Sequence, residues 1–324
     1  MKKLRITGFV ILLVLAAVFS MIDSGYKITQ IRNGLIATTG TVSDFDWSPE
    51  QTPSQFLRET APPPPEFTEA VRQALGRLPN NASTWDRALA LARHVSQKPR
   101  QSGGGGIKSS TIDAYRIIVT EGRGYCADYT QVMNGLTYAA GLPSREWGMS
   151  FDDYSGNGHA FNEVYDPALS QWVLIDSYYS LYFIARDTGK PLSALGLRER
   201  LEAGAGTDTI EVRPILPERF SFPSESRALE YYRKGADHFF LYLGNNVFSY
   251  DANAVVSSLT PYSRALEETA GIVLGILPRI QLLLTETNRS SIGRLSLRRN
   301  IFLSLAAILV ILLGVFVYQI RGLR

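Results

Sequence analysis

Two apolar runs, one near each end, fence in what this chain can become. Asn300 to Ile320 reads NIFLSLAAILVILLGVFVYQI and holds no charged side chain. As a helix it is long enough to cross a hydrocarbon layer about 30 Å thick. Arg294, Arg298 and Arg299 flank one end, Arg321 and Arg324 the other, and Tyr318 lies near the exit, where interfacial aromatics collect. The other run, residues 6–22, follows Lys2, Lys3 and Arg5. It reads as a transmembrane helix or signal anchor. It is long for the core of a cleaved leader, and Phe19 spoils the small-x-small cleavage pattern. With both runs spanning, the termini share a side, and the basic residues before the first run place that side in the cytoplasm. The expectation is a cell-membrane protein with two spans and its folded part on the extracytoplasmic side. The arginines before the second run pull against this orientation. A third apolar stretch, Ala270 to Leu284, is short and carries Pro278 and Arg279. It is expected at the interface or packed on the folded part.

Between the runs lies ordinary globular material: the chain is 45% hydrophobic and 19% charged, enough to bury a core. The 33 basic and 30 acidic residues leave a net charge of +3, and the excess sits beside the apolar ends. No nucleic-acid partner is expected from that balance, whereas membrane lipid is. Cys126 is the single cysteine, which rules out an internal disulfide framework.

The middle divides by composition. Residues 23–65 read as a linker ending in the stiff run Pro62 to Pro65. Residues 66–190 hold the motifs of one domain, and 191–290 read as a mostly helical C-terminal extension. Phe67, Val71, Leu75 and Leu78 recur at helical intervals. Ser83 and Ser110, each with an aspartate three residues on, open two further helices. Gly103 to Gly106 make a loop between them. Ser224 to Leu243 carries Leu229, Tyr232, Ala236 and Phe239 and reads as another helix.

The central stretch says most. Cys126 opens a helix with Val132, Met133, Leu136 and Ala140 on one side, and Gly141-Leu142-Pro143 ends it. Three strands follow: Arg145 to Phe151, His159 to Tyr165 and Trp172 to Asp176, with Asp166-Pro167 starting the second turn. A helix followed by an antiparallel meander is an α+β arrangement.

A lone cysteine is usually a small buried hydrophobe. Cys126 is unusual because Gly122-Arg123-Gly124 puts it in the first turn of a helix, where unpaired N–H groups and the dipole favour a thiolate. Such a thiolate needs a histidine as base and cation partner. Of the three histidines, His94 and His238 sit inside expected helices and read as structural. His159 follows a glycine turn and opens a strand. Alternation puts His159, Phe161 and Glu163 on one face and Ala160, Asn162 and Val164 on the other. Asp176 closes the next strand at about the same distance from the turn as His159, so it is placed to orient the imidazole. Alone, Asp176 would read as a strand-end carboxylate. Asp128, Tyr129 and Asn134 read as scaffold. Tyr125 and Trp147 either line a cleft or fill a core, Arg145 fits a structural ion pair, and Tyr178 and Tyr179 border the site.

The stretch GRGYCADYTQVMNGLTYAAGLPSREWG resembles the bacterial transglutaminase-like pattern, in which Gly-x-Cys opens a helix ending in Gly-(Leu/Ile)-Pro-x-Arg. GHAFNEVYDPALSQWVLIDSYY resembles its continuation, and the chain order Cys, His, Asp fits as well. The resemblance covers roughly residues 85–185. It implies a transglutaminase-like, papain-like core with the catalytic set Cys126, His159 and Asp176. Cys126 would attack an amide or peptide carbonyl, and the acyl-enzyme would pass to water or to an amine. The Cys126 N–H would line the oxyanion hole; a second donor upstream has no clear counterpart near Gly103 to Gly106. A peptide or protein is the implied substrate, and no metal or organic cofactor is implied. The alternatives are a catalytically silent binding or scaffold module of the cell envelope and a plain thiol sensor. The sensor leaves His159 and Asp176 unexplained.

Overall fold

The computed structural model describes residues 2–101 and 106–322. Helix α1 (Lys2–Met21) carries the first apolar run, and α2 (Gly25–Ile36) begins after only a short break. Strand β1 (Ala37–Gly40) leads through irregular chain to α3 (Pro65–Leu75), α4 (Thr84–Val95), α5 (Thr111–Glu121) and α6 (Cys126–Ala139). The meander β2 (Ser144–Ser150), β3 (Gly158–Asp166) and β4 (Gln171–Ile175) follows, then β5 (Leu181–Ala185), α7 (Ala194–Glu202) and β6 (Ile210–Pro214). The chain continues through α8 (Glu225–Gly235), β7 (Phe239–Tyr242), α9 (Val247–Asp251), α10 (Ala254–Leu259), α11 (Arg264–Val273) and β8 (Ile280–Leu283) into α12 (Arg289–Arg321).

The fold is α+β around one sheet, ordered β1-β8-β7-β2-β3-β4. All its pairs are antiparallel except β1 with β8. One face is covered by α3 to α6, whose Leu91, Ile118, Val132, Met133 and Leu136 pack with Val164 and Ile175. The other face packs Trp147, Phe161 and Leu174 against Leu197 of α7, Leu229 and Tyr232 of α8, and the antiparallel pair β5–β6. Each such fully buried large side chain contributes about 1.5–3 kcal/mol. Serine caps start α4 and α5: Ser83 accepts from the Asp86 N–H and Ser110 from the Asp113 N–H. Gly141, at φ +68°, ends the α6 turn where a side chain would be strained.

Residues 23–65 are folded rather than a linker. Phe45, Trp47 and Phe56 enter the main core, and β1 extends the sheet. Isolated aromatics in polar surroundings have no periodicity to announce them, which is why the segment looked like a spacer. Pro64 and Pro65 open α3, where a missing N–H costs nothing. Residues 191–290 are richer in helix than in strand, as expected, but are not an appendage: β7 and β8 lie within the sheet, and β6 pairs with β5. The expected helix over Ser224 to Leu243 stops at Gly235, so His238 lies in a 3-10 turn and Phe239 starts a strand. Ala270 to Leu284 ends in strand β8 and packs on the folded part.

Helices α1 and α12 are both long and apolar enough to cross a membrane, one at each end of the described chain. They lie along each other, with Gly8 facing Phe316. The first turns of α12 belong to the folded part, where Ser291 and Leu295 are buried and Leu295 joins Ile36, Phe240, Ile280 and Leu282.

Candidate active site

Helix α6 holds Cys126 as its first residue, with Tyr125 as N-cap. Asp128 organises this start: its carboxylate accepts from the Tyr125 N–H at 2.6 Å and from the Ile107 N–H at 3.2 Å. Gly122 (φ +69°) and Gly124 (φ +151°) make the approach, and a Cβ on Gly122 would lie 2.1 Å from the Pro99 carbonyl oxygen. Cys126 is half-buried, and its N–H, at the head of the helix, has no intrahelical acceptor.

His159 is the second residue of β3, on the sheet face expected from alternation. On the opposite face Asn162 reaches α6, donating to the Thr130 carbonyl at 3.2 Å and to Asn134 Oδ1 at 2.9 Å. β3 pairs with β4 so that Asn162 lies opposite Ile175, and the chain just beyond carries Asp176 beneath the imidazole. His159 Nε2 and Asp176 Oδ2 are 2.5 Å apart, both buried. A carboxylate only accepts, so Nε2 carries the hydrogen and Nδ1 is left for the sulfur. Burial lowers the affinity of His159 for its proton. The charges of Asp176 and Cys126, and hydrogen bonds with both, outweigh it and push the imidazole up to about 10. Both neighbours thus favour the protonated imidazole, with the carboxylate on one side and Cys126 on the other.

Asp176 is held in turn. The Tyr179 N–H donates to its Oδ1 at 2.9 Å, and the Tyr232 hydroxyl from α8 donates to its Oδ2. Tyr232 was read only as an apolar helical position; nothing in its spacing discloses a polar role for its hydroxyl. Four tyrosines surround the His159 ring: Tyr179 at 4.8 Å between centroids, Tyr178 and Tyr231 at 5.7 Å, and Tyr232 at 6.0 Å. Tyr178 also meets Tyr129 of α6 edge-on at 5.3 Å.

The structure brings Cys126, His159 and Asp176 together, borders them with Tyr178 and Tyr179, and gives the remaining sequence candidates other places. Trp147 is core, its indole donating to Glu163. Tyr125 is exposed. Arg145 is a buried structural cation: it bonds Glu163 at 2.7 Å and the Phe45 carbonyl at 2.7 Å, and lies 4.3 Å from the Trp172 ring and 4.8 Å from the Trp47 ring. His94 meets Tyr115, and His238 meets Ser291. The expected loop Gly103 to Gly106 falls outside the described residues up to Gly105.

The thiol thus lies at a helix head and the histidine on a strand of the sheet, within an α+β fold. Residues 71–177 match the model of the transglutaminase-like superfamily, so the chain carries a transglutaminase-like domain over that stretch. Among solved structures, a protein from Cytophaga hutchinsonii presumed to be a cysteine protease is 21% identical, with a TM-score of 0.30. That likeness covers 43% of this chain and 45% of that one, so the chain spans less than half of the structure it matches. No curated protein matches.

Proposed function

We propose that this is a membrane-attached thiol enzyme acting on amide or peptide bonds, with Cys126 as nucleophile, His159 as its proton partner and Asp176 as the group that fixes the imidazole. The observation that carries the reading is the buried His159, bonded through Nε2 to Asp176 with Cys126 on its other side. In the reaction the sulfur attacks the carbonyl carbon, and the N–H of Cys126 faces the oxygen as it gains charge. His159, protonated at rest, delivers a proton to the departing amine, and the thioester forms. Water or a second amine, losing its proton to His159, then releases the acyl group. Asp176 keeps the imidazole in the required tautomer and stabilises its charge. The substrate is a peptide or protein on the extracytoplasmic side of the cell membrane.

Haloacetamide labelling tests this, since one cysteine gives one product. Rapid modification of Cys126 at pH 6, where an ordinary thiol is protonated, is expected, with loss of that speed in His159→Ala at unchanged fold. Slow labelling with an ordinary thiol pH profile would instead favour a silent scaffold.

A further inference from the structure

The chain between α4 and α5 places one cation beside the Cys126 site that the chemistry above does not use. Arg100 lies over the Tyr178 ring at 4.4 Å and over the Tyr179 ring at 4.8 Å. Both tyrosines flank His159, so the guanidinium is one aromatic ring away from the imidazole. Tyr178 packs against Tyr129 of the cysteine helix as well, which puts Arg100 above the seam between α6 and β3. The segment is pinned there: the next residue, Gln101, donates its N–H to the Gly122 carbonyl at 2.9 Å, and Pro99 packs on Gly122, four residues before the cysteine.

Among the described residues the groups around Arg100 are these two tyrosines and Tyr129, and no carboxylate forms a salt bridge with it. Other guanidinium groups close to the core behave differently. Arg32 is bonded to Glu268 at 2.5 Å, and Arg145 to Glu163 at 2.7 Å. The Arg100 guanidinium, stacked on and hydrogen-bonded to neutral phenols only, keeps its charge unpaired, and its fork of five N–H donors exceeds what two hydroxyls take up and suits a carboxylate.

We infer that Arg100 is the substrate-recognition residue of the Cys126 site, and that the substrates are peptide amides carrying a carboxylate close to the bond attacked. This rests on the thiol-enzyme reading above and adds its substrate class. The carboxylate enters along the tyrosines, takes two hydrogen bonds from Arg100, and sets the neighbouring carbonyl over the sulfur. An amidated or neutral counterpart lacks that anchor.

Two alkylating reagents separate the inference from the reading beneath it. Iodoacetate and iodoacetamide both lose iodide to a thiolate and differ in one carboxylate. In the full-length protein in detergent, Cys126 is expected to react faster with iodoacetate. Arg100→Gln should lower the iodoacetate rate about tenfold, the worth of a charged hydrogen-bonded contact. It should leave the iodoacetamide rate within about twofold, which also reports an intact site. Arg100→Lys should keep part of the preference. Fast iodoacetamide labelling with an iodoacetate rate indifferent to Arg100→Gln overturns the inference and leaves the thiol enzyme standing. Labelling by both reagents no faster than glutathione overturns both. Protection of Cys126 from iodoacetamide then distinguishes the source of the carboxylate. Protection by trialanine but not its amide assigns it to a peptide terminus. Protection by Ala-Glu-Ala-amide assigns it to a side chain, and protection by neither overturns the substrate class.

Discussion

Removing the Tyr232 hydroxyl, by Tyr232→Phe, is the sharpest single perturbation of the site that leaves its shape unchanged. The hydroxyl donates to Asp176 Oδ2, the same oxygen that receives His159 Nε2, and the whole group is buried. A hydrogen bond to an ionised group is worth about 1.5–3 kcal/mol. The ring still packs against Phe161 and Phe183, so no cavity opens and the cost is confined to the bond. Stability should fall by about that amount, measured by chemical denaturation of the detergent-solubilised protein. The carboxylate, relieved of one donor, keeps more of its charge for the imidazole. The His159 pKa, already about 10, should therefore rise further. The alkaline limit of Cys126 reactivity, followed by haloacetamide labelling against pH, should move upward with it. Asp176 also becomes freer to turn, so turnover should drop roughly tenfold, as for other losses of about 1.4 kcal/mol from a barrier. Wild-type stability together with an unmoved alkaline limit would refute the claim that Tyr232 supports Asp176.

Three further outcomes follow. Asp176→Asn should retain the fold yet lower the reaction rate by about 10⁴-fold, because the amide favours the wrong imidazole tautomer; steady-state assay against a carboxylate-bearing peptide amide measures it. The raised His159 pKa makes stability fall with alkali: the pairing contributes fully below pH 6.5 and is lost as pH climbs through about 10. Denaturation midpoints taken across that window should decline in the wild type relative to His159→Gln, and parallel lines would contradict the pairing. Glu163→Gln leaves Arg145 charged, buried and short of its partner, at a cost of about 3–5 kcal/mol. Thermal unfolding should therefore show a large loss, while any protein that remains folded still labels at Cys126.

Much of the site could be read from the residues because local chemistry fixes it. Ser83, Ser110 and Gly141 act within one helical turn of themselves, and the two glycines before Cys126 leave little choice about where α6 starts. Equal spacing from the turn was enough to bring His159 and Asp176 to the same end of the hairpin. What escaped depends on distant partners. Trp47 is buried where Trp172 donates to its carbonyl and Arg145 lies over both rings; none of this shows in the polar stretch around residue 47. Phe239 to Tyr242 continues the apolar spacing of α8, so the switch from helix to strand is set by Met149 and Trp147 waiting across the sheet. Tyr232 reads as one more apolar position until Asp176 is seen beneath it.

The parallel pairing of β1 with β8 has a consequence for biogenesis. Residues 37–40 leave the ribosome well before their neighbours at 280–283, which emerge immediately ahead of the apolar helix α12. One border of the sheet therefore stays open until β8 has been made, and it closes only when β8 reaches β1. A long loop must be ordered before any reward is collected, which makes this the slow, late step of maturation. A chain interrupted between β7 and residue 280 keeps its cysteine helix and its histidine strand yet leaves that border unpaired, a natural target for quality control.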